Sequence, residues 1–140
     1  MNIDGVTTGL VLDHIAAGKS MEIYKLLKLD ELDCCVAIVQ NVVSTKYGKK
    51  DIIKIDGEIE LDLNILGYVD PNITVNRVKN GELDSKVHLE LPKRLKGVLE
   101  CRNPRCITSI EQEIVHDFYL ADEEKKVYRC RYCDVERKWL

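Results

Sequence analysis

Cys101, Cys106, Cys130 and Cys133 form a Cys-x4-Cys pair and a Cys-x2-Cys pair separated by 23 residues, 107–129. Two thiolates on each of two turns make the donor set of a structural zinc site. Four sulfurs complete the tetrahedron and leave no position open for water, so a catalytic metal is not expected. Six cysteines in 140 residues would also allow disulfides. However, the chain opens MNIDGVTTGL, with neither a basic n-region nor an apolar h-region. That points to the reducing cytoplasm, where clustered cysteine pairs usually hold metal. The expectation is one structural Zn2+ per chain. Cys34 and Cys35 have no partner pair at ligand spacing and open the apolar stretch 34–43, so they are expected to be small core hydrophobes.

A zinc ion with four thiolates carries a formal charge of two minus, and Arg102, Arg105, Arg129 and Arg131 stand beside the ligands. These arginines either compensate the site locally or present guanidinium forks to a partner's carboxylates or phosphates, and the spacing leaves both open. In the first half, the run 48–55 places Lys50, Ile52 and Lys54 on one strand face by the two-residue period. Taken singly this is a solvated strand face, and Asp13-His14 is an ordinary polar pair. No nucleophile and base pair and no Gly-rich phosphate loop recommends an enzyme.

The elements that must position these groups are short. Residues 8–15 read as a strand, and Ser20 is placed to cap a helix whose apolar positions Ile23, Tyr24, Leu26 and Leu27 recur at helical spacing. A β-rich run at 35–43, a polar turn at 44–49 and a strand at 51–55 suggest a hairpin. In 58–65, Ile59, Leu61, Leu63 and Ile65 alternate with polar residues as in a half-buried strand. After Asp70-Pro71, the run 73–78 leads into Asn80-Gly81, a strong two-residue hairpin signal before 82–89. Segment 86–106 holds six bases against two acids and contains Leu91-Pro92-Lys93-Arg94-Leu95, which reads as the connection to a small metal-dependent module. No apolar run approaches the roughly 18 residues that span a bilayer. A net charge of −3 and the lack of an aromatic stacking series argue against a nucleic-acid binder.

The stretches around Asp13-His14, Lys50 to Lys54, Asn72 to Val78 and Leu89 to Lys93, followed by the cysteine set, occur in an order and spacing that resembles the regulatory chain of aspartate carbamoyltransferase. The resemblance runs over essentially the whole chain. It implies an α+β protein: a ferredoxin-like nucleotide-binding domain over residues 1–92, then a small antiparallel-β zinc domain over 93–140 that docks on the catalytic chain. It also implies a helix near 61–67, against the alternating pattern there. The implied function is non-catalytic allosteric control of pyrimidine synthesis by ATP, CTP and UTP. The implied assembly is a cytoplasmic hetero-oligomer of regulatory-chain homodimers and catalytic chains, without nucleic acid or membrane. Carried over by position, Asp13 and Lys54 would meet the ribose, and His14 and Lys86 the phosphates. Lys50, Asn76 and Val78 would help line the pocket, while Ile3, Asp4 and Val6 would frame the base. Gly81 stands where the better-known members carry a larger residue. The cluster of Lys50, Lys54 and Lys86 is expected to be held open by its own repulsion. Two other readings remain: a zinc-ribbon nucleic-acid-binding module and a zinc-stabilised scaffold without nucleotide response.

Overall fold

The structure, a computed structural model, describes residues 5–45 and 48–137. Ile3 and Asp4 lie outside the described residues. The chain divides into two compact units, Met1–Glu90 and Leu91–Leu140.

The first unit runs β1 (Gly9–Ala16), α1 (Ser20–Leu26), β2 (Cys35–Ser44), β3 (Gly48–Asp56), α2 (Leu63–Val69), β4 (Thr74–Lys79) and β5 (Glu82–His88). The strands form one sheet in the order β2-β3-β1-β4-β5, with every neighbouring pair antiparallel. The first four strands and two helices make the ferredoxin-like arrangement, and β5 extends it by a hairpin. The strand β1 sits at the centre of the sheet and is largely buried, and strand alternation sends its residues to two different layers. Leu10 and Leu12 share one face with Ile53 and Ile55 of β3 and Val75 of β4, all buried. The helices add buried Ile23, Leu66, Tyr68 and Val69. The opposite face carries Val11 and Asp13. The register of β1 against β3 shifts between Leu12 and Ile15, and there His14 takes a left-handed φ of +61°.

Asp51 is the joint of this unit. It is fully buried, and its two carboxylate oxygens accept four hydrogen bonds. Oδ2 accepts from the Ser20 hydroxyl at 2.7 Å, Gly18 N at 3.0 Å and Ser20 N at 3.4 Å, while Oδ1 accepts from Asn41 N at 3.0 Å. The anticipated Ser20 cap is thereby corrected: the N-cap position is Lys19 without a side-chain cap bond, and Ser20 is held by Asp51 instead. A carboxylate reaching over from β3 satisfies the orphan amides at the helix start better than a hydroxyl on the helix itself. The same carboxylate holds Asn41, at φ +60°, in the register shift of β2 between Val39 and Val42.

The alternating segment 58–65 forms no strand: 58–62 are irregular up to Asp62, the N-cap of α2. There the Asp62 carboxylate accepts from Asn64 N at 2.9 Å, capping α2 two residues later than the expected 61–67. The β4–β5 turn has Asn80 at φ +54° and Gly81 at φ +79°, the pair of positive angles a two-residue hairpin needs. The core assignment of Cys34 and Cys35 is corrected. β2 is an outer strand, so Cys35 is exposed and Cys34 is only half-buried. Cys34 lies against Gly57, where an added Cβ would stand 2.6 Å from the Cys34 Cβ.

The second unit has β6 (Arg94–Lys96), α3 (Ile107–Ile110), β7 (Asp117–Asp122), β8 (Val127–Cys130) and β9 (Glu136–Arg137), with the strands in that order in one antiparallel sheet. Its core is small: Leu95, Leu99, Phe118 and Tyr128, the last donating its hydroxyl to the Pro92 carbonyl at 2.7 Å. No helix among the described residues is long and apolar enough to cross a membrane.

Asp51→Ala removes the acceptor for four donors and should destabilise the protein by about 3 kcal/mol, at the upper end for hydrogen bonds to a charged group. Burial raises the Asp51 pKa, but the Ser20 hydroxyl and the Asn41, Gly18 and Ser20 amides outweigh it and hold the group below the ordinary carboxylate range. Its contribution is therefore present above the unfolded value near pH 3.9 and is lost as pH falls through the folded value. Urea unfolding of wild type and variant from pH 7 to pH 2 should show the two curves converging at the acid end.

Candidate metal centre and ligand-binding face

The four sulfurs of Cys101, Cys106, Cys130 and Cys133 lie within 4.8 Å of one another. Cys101 and Cys106 flank the turn before α3, Cys130 ends β8, and Cys133 follows in the next turn. Sγ–Sγ separations are 3.6 Å for Cys101–Cys133 and 3.7 Å for Cys106–Cys130. A disulfide needs about 2.05 Å. A tetrahedron with metal–sulfur bonds of about 2.3 Å has edges of about 3.8 Å. The donor set therefore fits a four-coordinate metal ion and leaves no ligand position for water.

Backbone amides orient the sulfurs: Asn103 N donates to Cys101, Thr108 N to Cys106, and Tyr132 N and Cys133 N to Cys130. The Thr108 hydroxyl adds a side-chain donor, 3.0 Å from Cys106 Sγ. Burial pushes the Cys101 thiol up to about 12, with neighbouring sulfurs adding and the Asn103 amide opposing. Burial acts the same way on Cys106, but the Thr108 hydroxyl and amide and the adjoining thiols bring it down to about 7. Cys106 is thus the readiest thiolate of the set. Cys101 N also donates to His116 Nδ1 at 2.9 Å, so the imidazole braces the first cysteine turn without contributing a ligand.

The arginines beside the cysteines divide. Arg131 approaches Asp117 at 3.7 Å, and Arg129 reaches Glu136 at 3.7 Å and the Asp134 carbonyl at 2.9 Å, which is local charge compensation. Arg102 and Arg105 are exposed. The buried Asp117 is held mainly by Arg94 at 2.6 and 2.9 Å, and the Arg94 guanidinium keeps its carboxyl below the usual range against the effect of burial.

In the first unit, sheet register brings together residues that sequence only suggested belong together. Lys54 of β3 is opposite Val11 of β1, Val11 is opposite Asn76 of β4, and Asn76 is opposite Lys86 of β5. Opposed residues share a face, so these four form one row across four strands on the side away from the helix layer. Asp13, two residues along β1, shares that face, and Lys50 Nζ lies 2.9 Å from its carboxylate. His14 N donates to the same carboxylate at 2.7 Å. Burial raises the Asp13 pKa, but the Lys50 and His14 hydrogen bonds outweigh it, so Asp13 is anionic well into acid. The expectation of mutually repelling lysines is corrected at Lys50, whose charge is balanced by Asp13. His14 is held by Thr74 Oγ1, 3.1 Å from Nδ1. Val6 and Val78 pack with Val11 and Ile52 into a small buried cluster at the same face, with Val42 against it.

Asn76 is nearly fully buried; its Nδ2 donates to the Val11 carbonyl at 3.2 Å, and its Oδ1 has no partner among the described residues. A buried acceptor without a donor is costly, and such groups mark places where a ligand or water completes the bonding. Val11 and Thr74 were missed in the sequence. The signal was present in Thr74, which stands two residues before Asn76 and so on its face.

Comparison with known proteins bears on both units. A family model described as aspartate carbamoyltransferase regulatory chain, allosteric domain, matches residues 1–90, and one described as the metal binding domain of the same chain matches residues 93–138. The chain belongs to the aspartate carbamoyltransferase regulatory chain family. Among named regulatory chains, that of Clostridium botulinum is 49% identical over 134 residues, covering 96% of this chain and 92% of the relative. That of Clostridium tetani is 47% identical over 135 residues (96% and 94%), and that of Bifidobacterium longum 39% identical over 138 residues (99% of each). As a regulatory chain it is a non-catalytic subunit of the transferase complex, with an allosteric unit and a metal-binding unit.

The Thr108 bond gives a direct test of the metal centre. Thr108→Val removes only the hydroxyl donor to Cys106 and should weaken metal binding by about tenfold, the lower end for loss of a ligand's outer partner. Thr108→Ser should retain it. Competition with a chromogenic chelator would measure both, with circular dichroism confirming that the fold is kept.

Proposed function

We propose that this chain senses nucleoside triphosphates on the open face of its first sheet and passes the signal to the catalytic chain through its metal-binding unit. In this reading residues 1–92 are the nucleotide domain, residues 93–140 the docking domain, and the metal is one structural Zn2+. The observation that carries the effector site is the row Lys54–Val11–Asn76–Lys86, with Asp13 and Lys50 beside it. A nucleoside triphosphate brings about four negative charges next to an uncharged sugar and base. Lys86 and His14 offset the phosphate charge, and Lys54 meets the ribose. Asp13, ionised and fixed by Lys50, accepts from sugar hydroxyls, and Asn76 Oδ1 gains a donor. Val6, with Ile3 and Asp4, frames the base, and Val78 helps line the pocket.

Zinc is favoured because all four ligands are thiolates and the sulfur spacing suits a closed tetrahedron. Six cysteines, none of them in a disulfide, suit a reducing cytoplasm. Pairing of two regulatory chains is supported by β2, a ten-residue outer strand with Val39 and Val43 exposed, since an unpaired edge is a template for another strand. An effector shifts the enzyme only through unequal affinity for its two states, typically about 1 to 3 kcal/mol of coupling. ATP, CTP and UTP, acting on pyrimidine synthesis, are the effectors this reading assigns.

Lys54→Ala and Lys86→Ala should each lower triphosphate affinity by about tenfold or more, the range for a charge-assisted hydrogen bond. Calorimetry with ATP, CTP and UTP would measure it, and unchanged binding in both variants would remove the site from this face. Chelation of the metal should release the chain from the catalytic subunit while nucleotide binding persists. Gel filtration of the complex before and after verified metal loss would read that order, and continued association without metal would confine the cysteines to local folding.

A further inference from the structure

A second row of residues crosses the same face. Asp13 of β1 is opposite Thr74 of β4, and Thr74 is opposite His88 of β5. Directly opposed residues carry their Cβ atoms roughly 4.5–5.5 Å apart on one side of the sheet. His88 therefore stands beside Thr74, whose Oγ1 lies 3.1 Å from His14 Nδ1. It also stands two residues from Lys86 on β5 and shares its face. Lys86 and His88 are both exposed, whereas Val87 between them is half-buried, as strand alternation requires. His14, Lys86 and His88 thus stand around the buried Thr74 on one face, with the two β5 residues exposed.

The order of the rows gives a direction. The groups suited to a sugar, Asp13 and Lys54, are on β1 and β3. The groups suited to phosphate, His14 near the end of β1 and Lys86 on β5, lie on either side of Thr74 of β4. Two strand spacings, about 10 Å, separate β1 from β5, so only the far end of a triphosphate tail reaches the outer strand. An imidazole there offers an N–H donor in either charge state and a full positive charge when protonated. We propose that His88 binds the terminal phosphate of the effector and makes the chain distinguish nucleoside triphosphates from di- and monophosphates. This inference rests on the effector reading of the sheet face and adds to it a residue and a phosphate-counting role.

The test is calorimetry on the full metal-loaded chain with two series, ATP, ADP and AMP, and CTP, CDP and CMP. In His88→Ala the triphosphates should bind about fivefold to tenfold more weakly, the loss expected for one hydrogen bond to a charged group. Di- and monophosphate affinities should not move, and His88→Lys should restore the triphosphate preference. Unchanged triphosphate affinity in His88→Ala would overturn the assignment, as would an equal loss across all three phosphorylation states. A wild-type chain that binds neither series would instead overturn the effector reading, and this inference with it.

Discussion

Everything on the proposed effector face depends on the register of β1 between β3 and β4. Side-chain direction along a strand alternates residue by residue, so a slip of one position would turn Val11 and Asp13 toward the helices and bring Leu10 and Leu12 out. The burial of Leu10, Leu12, Ile53, Ile55 and Val75 makes such a slip expensive. Packing on the helix side thereby fixes the arrangement of charged groups on the other side. The register shift after Leu12 then redirects the chain end, leaving His14 beside Asp13 rather than directly beneath the helices.

The two units solve the problem of stability differently. The first buries a two-layer core and ties it with one carboxylate, Asp51, that serves α1, β2 and β3 together. The second is only 50 residues, Leu91–Leu140, with a few large buried side chains. At that size a hydrophobic core alone is marginal, and metal binding supplies folding free energy directly. The charge pairs follow the same division: Asp13–Lys50 fixes an anion on the sheet face away from the helices, whereas Asp117 with Arg94 and Arg131 braces a small sheet.

The cysteine set was legible in the sequence because ligand spacing is a local property of two turns. The hairpin at Asn80-Gly81 was legible for the same reason. Three features were not, and for two of them the reason is a partner or neighbouring strand distant in sequence. Ser20 has the chemistry of a cap, but Asp51, 31 positions away, takes its hydroxyl. Cys35 opens an apolar run, but β2 is an outer strand, and apolar composition does not distinguish edge from centre. Segment 58–65 alternates like a strand but forms none, because the Asp62 carboxylate caps a helix that begins at Leu63. The row from Lys54 to Lys86 likewise depends on strands distant in sequence. Its members were suggested by resemblance, but their common face follows from register, and so do Val11, Thr74 and His88.

The account stands or falls on whether a triphosphate occupies this face, and amide chemical-shift mapping of the nitrogen-15-labelled, metal-loaded chain during titration with CTP and ATP tests that most directly. The largest shifts should fall on Val11, Asp13, Lys54, Thr74, Asn76, Lys86 and His88, across four strands, with the amides of α1 and α2 little changed. Shifts centred on the helices or on the cysteine turns, or no saturable shift at all, would contradict it.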